Sequence, residues 1–148
     1  MSTIETLQYM AAGFGSALTP INLLAMLGGT ALGIVIGCLP GLSAAMGVAL
    51  MLPLTFTMPA DTGLIVLGAI YCGAIFGGSI SAILIHTPGT PASAATAIEG
   101  YQMTLKGKAG KALATACWSS FWGGLLSCIS LYFFAPLLAQ LALKFMSA

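Results

Sequence analysis

Charged residues are scarce in this chain, which has no arginine, four lysines and three acidic residues among 148 residues. Average soluble domains carry roughly 25% charged residues, whereas this sequence carries 5%. The chain therefore lacks a basic surface, and nucleic acid is excluded as a partner. No GxxxxGK[ST] phosphate-binding loop is present, which excludes an ATP-hydrolysing subunit.

The sequence also lacks a catalytic constellation. His86 is the chain's one histidine, no acidic residue lies near it in the sequence, and the serines of Gly77–Ser81 lack the second glycine of a nucleophile elbow. The four cysteines all lie in apolar stretches, which is typical of small buried hydrophobic residues rather than of disulfides or metal clusters. We therefore expect neither an enzyme nor a resident cofactor.

Apolar residues make up 59% of the chain, which predicts an all-α integral membrane protein built as one membrane domain over residues 1–148. Residues 21–39 and 64–85 are uncharged and long enough to cross a bilayer core of about 30 Å, and residues 112–138 form a third such run. Residues 1–17 lack the basic region of a cleavable signal and are predicted to be an amphipathic helix at the membrane interface.

Residues 42–56 are apolar but short, and they contain Pro53. This pattern predicts a half-span or re-entrant helix, and the side on which the N-terminus lies depends on whether it crosses or turns back. Residues 99–111 hold three of the four lysines and are predicted to be a cytoplasmic loop. The glycines at positions 29, 33 and 37, and at positions 73 and 77, recur at a four-residue spacing typical of close helix packing.

Two similar polar interruptions follow apolar runs, LPGLSAAMG from Leu39 and TPGTPASAATA from Thr87. Proline ends a helix and glycine permits a sharp turn, so each motif predicts a broken helix. Thr90 is well placed as an N-cap with Pro91 at the first helical position, whereas in the first motif either Gly41 or Ser43 starts the new helix.

Broken backbone at membrane depth is tolerated only where it is buried in protein or lines a watery cavity. The N–H groups at a helix start carry partial positive charge, which suits a carboxylate, and nearby hydroxyls and carbonyls suit a small cation. The two motifs therefore predict an anion site without arginine. The metal is left open, with a sodium site near Ser43 and Thr90 as the candidate.

The succession GCLPGLSAA, GAIYCGAIFGGSISAIL and HTPGTPASAATAIEGYQMTLKGKAGKAL closely resembles the large membrane subunit of the tripartite tricarboxylate transporter family. The resemblance implies a multi-pass secondary transporter of the bacterial inner membrane that imports citrate or other carboxylates with sodium or protons. It also implies a small membrane subunit and a periplasmic solute-binding protein as partners.

The family motifs fall here on Pro40 and Gly41 and on the segment from Thr87 to Pro91. With the neighbouring hydroxyls and the histidine, the predicted substrate-binding residues are Pro40, Gly41, Ser43, His86, Thr87, Pro88, Gly89, Thr90, Pro91 and Ser93.

The sequence departs from the family pattern in three ways. His86 replaces a usual asparagine, either as a titratable donor near the substrate or as a plain hydrogen-bonding substitute, and Glu99 replaces a common aspartate. Family large subunits also extend well beyond this chain, so the remaining half of the transporter or a second copy is an expected partner. The alternative is a truncated, non-transporting membrane protein with a structural or interaction role.

Overall fold

The computed structural model describes residue 8 and residues 12–146, with side chains up to residue 132 and at residue 134. Within this part the chain is helical, with no strand. The helices are α1 (Pro20–Cys38), α2 (Ala44–Thr55), α3 (Ala60–Ile85), α4 (Ala94–Leu105), which follows a 3₁₀ turn over Pro91–Ser93, and α5 (Ala109–Met146). The predicted all-α fold is confirmed.

Three of the described helices are long and apolar enough to cross a membrane, namely α1, α3 and the Ala109–Tyr132 part of α5. Of the predicted interfacial segment 1–17, residues 12–17 are helical and most of the remainder lies outside the described residues. The chain forms two compact units, residues 1–113 and 114–148. One membrane domain over the whole chain stays a prediction.

Helices α1 and α3 pack in parallel through their glycines. A Cβ added at Gly73 would lie 2.5 Å from the Thr30 carbonyl oxygen, and one added at Gly37 would lie 2.7 Å from the Ala74 Cα. Such distances leave no room for a side chain, so the two backbones are in direct contact. Because Gly33 meets Ile70 while Gly37 meets Ala74, residue numbers rise together along both helices, and the helices point the same way.

The short helices α2 and α4 both pack on α3 but run in opposite directions. Near the start of α2, Gly47 contacts Ile70, whereas Thr55 at its end contacts Gly63, so α2 runs antiparallel to α3. In α4 the order is reversed, because the preceding Thr90 contacts Gly78 and the later Gly100 contacts Ile83. Helix α4 therefore runs parallel to α3, and both short helices begin beside its central part.

A polar cluster joins the first turns of α1 and α3. The buried Asn22 donates from Nδ2 to the Ser16 carbonyl at 2.8 Å and accepts the Thr62 hydroxyl at 2.7 Å. The Ser16 hydroxyl in turn donates to the Asp61 carboxylate at 3.2 Å. Because the amide is satisfied on both sides, the cluster holds these helix ends together without an uncompensated buried polar group.

The second unit is the continuation of α5, and its side chains are exposed over the described part. Trp118, Phe121 and Trp122 form edge-to-face pairs with ring centroids 6.2 Å and 5.7 Å apart, an arrangement that aromatic quadrupoles favour. Large apolar side chains are exposed along this helix up to Phe134, and its Ala109–Tyr132 part is apolar enough to cross a membrane, as is typical of a helix in contact with lipid.

Candidate functional site

The first Pro-Gly motif forms a tight turn from Leu39 to Leu42. The Leu42 N–H donates to the Leu39 carbonyl at 3.2 Å, and Gly41 at the third position has a φ of +97°. Proline fixes φ near −65° at the second position of such a turn, and glycine adopts the positive φ of the third without steric cost. The order Pro40-Gly41 thus determines how the chain leaves α1.

Helix α2 starts at Ser43, which resolves the two starts that the sequence left open. The Ser43 Oγ accepts the Met46 N–H at 3.2 Å, as an N-cap does. The N–H groups of Ala44 and Ala45 lie in the first turn, where a helix provides no backbone acceptor. These two donors are therefore directed out of the helix start.

The second motif begins with His86, where α3 ends. His86 is in the left-handed region, with φ 56° and ψ 23°, a conformation in which asparagine, aspartate and histidine are enriched. Its Nδ1 donates to the Ala97 carbonyl at 3.2 Å, and its ring packs against Tyr101 at 4.6 Å between centroids. The histidine therefore fastens the end of α3 to α4, which favours the plain hydrogen-bonding role over a donor to the substrate.

Residues 87–89 lead back along α3 without helix, and Gly89 lies against the end of α1. A Cβ added at Gly89 would overlap the Gly37 carbonyl oxygen and would lie 3.0 Å from the Gly78 Cα and 3.1 Å from the Ser81 Oγ. Only glycine fits this contact, which places the second break beside the end of α1 and the middle of α3.

Thr90 and Ser93 then close the start of the next helix by reciprocal hydrogen bonds. The Thr90 N–H donates to the Ser93 Oγ at 3.3 Å, and the Ser93 hydroxyl donates to the Thr90 carbonyl at 2.8 Å. Both residues are buried, with exposed fractions of 4% and 1%, so their polar groups satisfy one another. Thr90 is the N-cap and Pro91 the first residue of the turn, as the sequence predicts.

A cavity of about 280 Å³ lies between the starts of the two short helices. Because α2 and α4 lead away from it in opposite directions, both of their N-termini face it. Its wall consists of hydroxyl, small and apolar side chains without a charge. The lining residues are Ser43, Ala44 and Ala45 from the first break, Thr90, Pro91 and Ala92 from the second, and Tyr71 and Ile75 from α3.

The predicted site residues divide into two groups. Ser43, Thr90 and Pro91 line the cavity. The others belong to the two breaks but do not line the cavity. Thr87, for instance, donates from its hydroxyl to the Ile85 carbonyl at 3.2 Å. These surrounding residues are Pro40, Gly41, His86, Thr87, Pro88, Gly89 and Ser93.

Sequence reasoning missed five lining residues, namely Ala44, Ala45 and Ala92 beside the breaks and Tyr71 and Ile75 of α3. Tyr71 and Ile75 lie four residues apart and so share one face of α3, but the sequence shows only that this helix is apolar, not which face the breaks cover. For metal binding, no group of three or more His, Cys, Asp or Glu residues occurs in the described part of the chain. A sodium site near Ser43 and Thr90 stays a prediction.

Comparison with known proteins identifies the family. The sequence model described as "Tripartite tricarboxylate transporter TctA family" matches residues 23–148. A curated relative from Agrobacterium vitis, described as "Uncharacterized 52.8 kDa protein in TAR-I ttuC' 3'region", is 47% identical over 142 residues, which are 96% of this chain and 28% of that relative. No solved structure matches the chain significantly. With the family model covering all but the first residues of the sequence, the chain belongs to the tripartite tricarboxylate transporter TctA family.

Proposed function

We propose that this chain takes part in the ion-driven uptake of tricarboxylates or related carboxylates across a bacterial inner membrane. The family is one of membrane components of tricarboxylate transport systems, not of enzymes. The observation that carries the proposal is the cavity onto which two helix starts open, one from each Pro-Gly motif. The chain spans 28% of the length of its curated relative, so the remaining part of the transporter is proposed to complete the site.

The depth of the cavity supports a role in transport. At a rise of 1.5 Å per residue, Gly77 lies about 25 Å from the start of α3 and about 12 Å from its end. A bilayer core of about 30 Å centred on α3 therefore includes this level. Both breaks pack there, since Cys38 donates to the Gly77 carbonyl at 3.4 Å and Gly89 contacts Gly78. Non-helical backbone at this depth is tolerated where it is buried in protein or lines a cavity, and the two breaks do both.

Helix-start groups supply the attraction for the carboxylate. Ala44 and Ala45 at one helix start and Ala92 at the other line the cavity, and N–H groups at a helix start have no acceptor within the helix, while Pro91 has no N–H. Each helix start carries roughly half a positive charge, and its interaction with an anion contributes about 0.3–1 kcal/mol when exposed and up to about 2 kcal/mol when partly buried. Two converging starts thus favour an anion where the lining has no cationic side chain.

The coupling ion is proposed to be sodium or a proton. Hydroxyl and carbonyl oxygens around Ser43 and Thr90 are the ligand type that sodium takes in broken-helix transporters. A periplasmic solute-binding protein is proposed to deliver the carboxylate, and a small membrane subunit to complete the system. Movement of the ion down its gradient then drives an alternating-access step.

The parallel packing of α1 and α3 supports a proposal for the orientation of the chain in the membrane. Residues 99–105 complete α4, so Lys106, Lys108 and Lys111 lie just after it, beyond the end of α3. If this basic segment is cytoplasmic, α1 begins on the periplasmic side, because α4 and α3 run the same way as α1.

The experiment that tests the proposal is uptake of a radiolabelled tricarboxylate by cells that contain the complete transport system, with Gly89→Val in the membrane subunit. Valine cannot fit beside the Gly37 carbonyl, so uptake is expected to be lost while the protein remains in the membrane. Gly68→Val is the matched control, since nothing lies within 4 Å of a Cβ added there. Normal uptake by the Gly89 variant, or equal loss in both variants, would contradict the site.

A further inference from the structure

Tyr71 is the polar residue that α3 contributes to the cavity wall. Its exposed fraction is 48%, and within the described part of the chain its hydroxyl has no hydrogen-bond partner. The other two hydroxyl side chains of the lining are engaged, because Ser43 accepts the Met46 N–H and Thr90 donates to the Ser93 Oγ at 3.4 Å. Among the described residues, the phenol is thus the polar side chain of this wall that makes no hydrogen bond.

The position of Tyr71 makes an unpaired hydroxyl costly. The residue lies about 16 Å along α3, close to the middle of that helix, where lipid offers neither donor nor acceptor. An unpaired hydroxyl in an apolar environment is unfavourable, and tyrosine hydroxyls that are shielded from water accordingly find a partner. Because Tyr71 lines the cavity, a molecule held there would lie next to its side chain.

We propose that Tyr71 donates a hydrogen bond to the substrate carboxylate and determines affinity for it, an inference that rests on the proposed function. The helix starts at Ser43 and Thr90 flank the same cavity and attract the negative charge, but their N–H groups are fixed in direction. A phenol on the third wall holds the carboxylate from another side. Its ring and Ile75, one helical turn on, contact the carbon skeleton.

The first test compares Tyr71→Phe with Tyr101→Phe in the complete transport system. Phenylalanine keeps the ring and removes the donor, and a hydrogen bond to a charged group is strong enough that KM for the carboxylate is expected to rise about 10- to 100-fold. Vmax and the amount of protein in the membrane are expected to change little, as for a contact equally strong in ground and transition states. Tyr101 packs against His86 outside the cavity, so its variant should keep the wild-type KM.

An unchanged KM in the Tyr71 variant overturns the inference, and so does an equal rise in both variants. These outcomes differ from failure of the proposed function, in which the wild-type system itself takes up no carboxylate.

A second test measures protection of position 71 by the substrate and does not depend on KM. The four native cysteines are replaced by alanine, Tyr71→Cys is introduced, and the rate of reaction with a membrane-impermeant thiol reagent is measured with and without citrate. Substrate is expected to slow the reaction at position 71. A chain retaining Cys72 alone is the control, because Cys72 is exposed but does not line the cavity. Reaction at position 71 that citrate leaves unchanged, in a variant system that still takes up citrate, contradicts the proposal.

Discussion

Replacing Gly37 by alanine tests the contact on which the architecture depends. The added Cβ would lie 2.7 Å from the Ala74 Cα and carbonyl carbon, whereas ordinary van der Waals contact begins at 3.4 Å. Backbone atoms cannot rotate away as a side chain end can. The Ala74 carbonyl oxygen would lie closer still to the added Cβ. Helices α1 and α3 must therefore separate at this point, which also loosens their contacts at Gly33 and Gly73.

Overpacking of this kind costs about 1–3 kcal/mol, which for a chain of this length corresponds to a melting temperature lower by about 4–12 °C. The assay is thermal unfolding of the protein purified in detergent, followed by the loss of its monodisperse peak on size-exclusion chromatography. Gly28→Ala on the same helix is the control, because nothing lies within 4 Å of its added Cβ and alanine is the better helix former. Its melting temperature is expected to stay the same or rise.

The reasoning is refuted if Gly37→Ala has the same melting temperature as the wild type, or if Gly28→Ala lowers the melting temperature as much as Gly37→Ala does. The first result would mean that α1 and α3 have space for a methyl group at Gly37. The second would mean that an added methyl group anywhere on α1 destabilises the protein.

Two further predictions concern side chains that hold the helices together. Asn22→Ala should lower the free energy of unfolding by about 1–3 kcal/mol, because it leaves the Thr62 hydroxyl and the Ser16 carbonyl without their buried partner; an unchanged melting temperature in detergent would show that this cluster is dispensable. His86→Asn should preserve both melting temperature and citrate uptake, since asparagine also tolerates the left-handed conformation and donates to the Ala97 carbonyl. His86→Leu should lower the melting temperature, and equal behaviour of the two variants would contradict the assigned contact.

The sequence predicts the helices well, because length and apolar content suffice for spans of this kind. The predicted span 21–39 is observed at Pro20–Cys38, and the short segment 42–56 at Ala44–Thr55. The predicted span 64–85 begins four residues too late, because α3 begins at Ala60, and Asp61 in its first turn suits a helix start. The predicted loop 99–111 is helical up to Leu105.

The site is predictable only in part. The break positions follow from Pro-Gly chemistry, and the Thr90 cap follows from local sequence. The convergence of the two breaks on one cavity depends instead on backbone contacts such as that of Gly89 with Gly37, which lie far apart in the chain. Tyr71 is recognisable only once those contacts show which face of α3 the cavity occupies.

The parallel pairing of α1 with α3 also has a consequence for biosynthesis. Gly33 of α1 lies against Gly73 of α3. Because these positions are far apart in the sequence, the ribosome synthesises the glycine face of α1 well before the face of α3 that packs on it. At about 5–20 residues per second, roughly 2–8 s pass before the partner surface leaves the ribosome. We expect the glycine face of α1 to be uncovered during that interval. A ribosome that stalls before α3 is complete would leave this surface open to other helices, so slower translation of the segment between the two helices is expected to lower the share of the protein in which α1 and α3 pair.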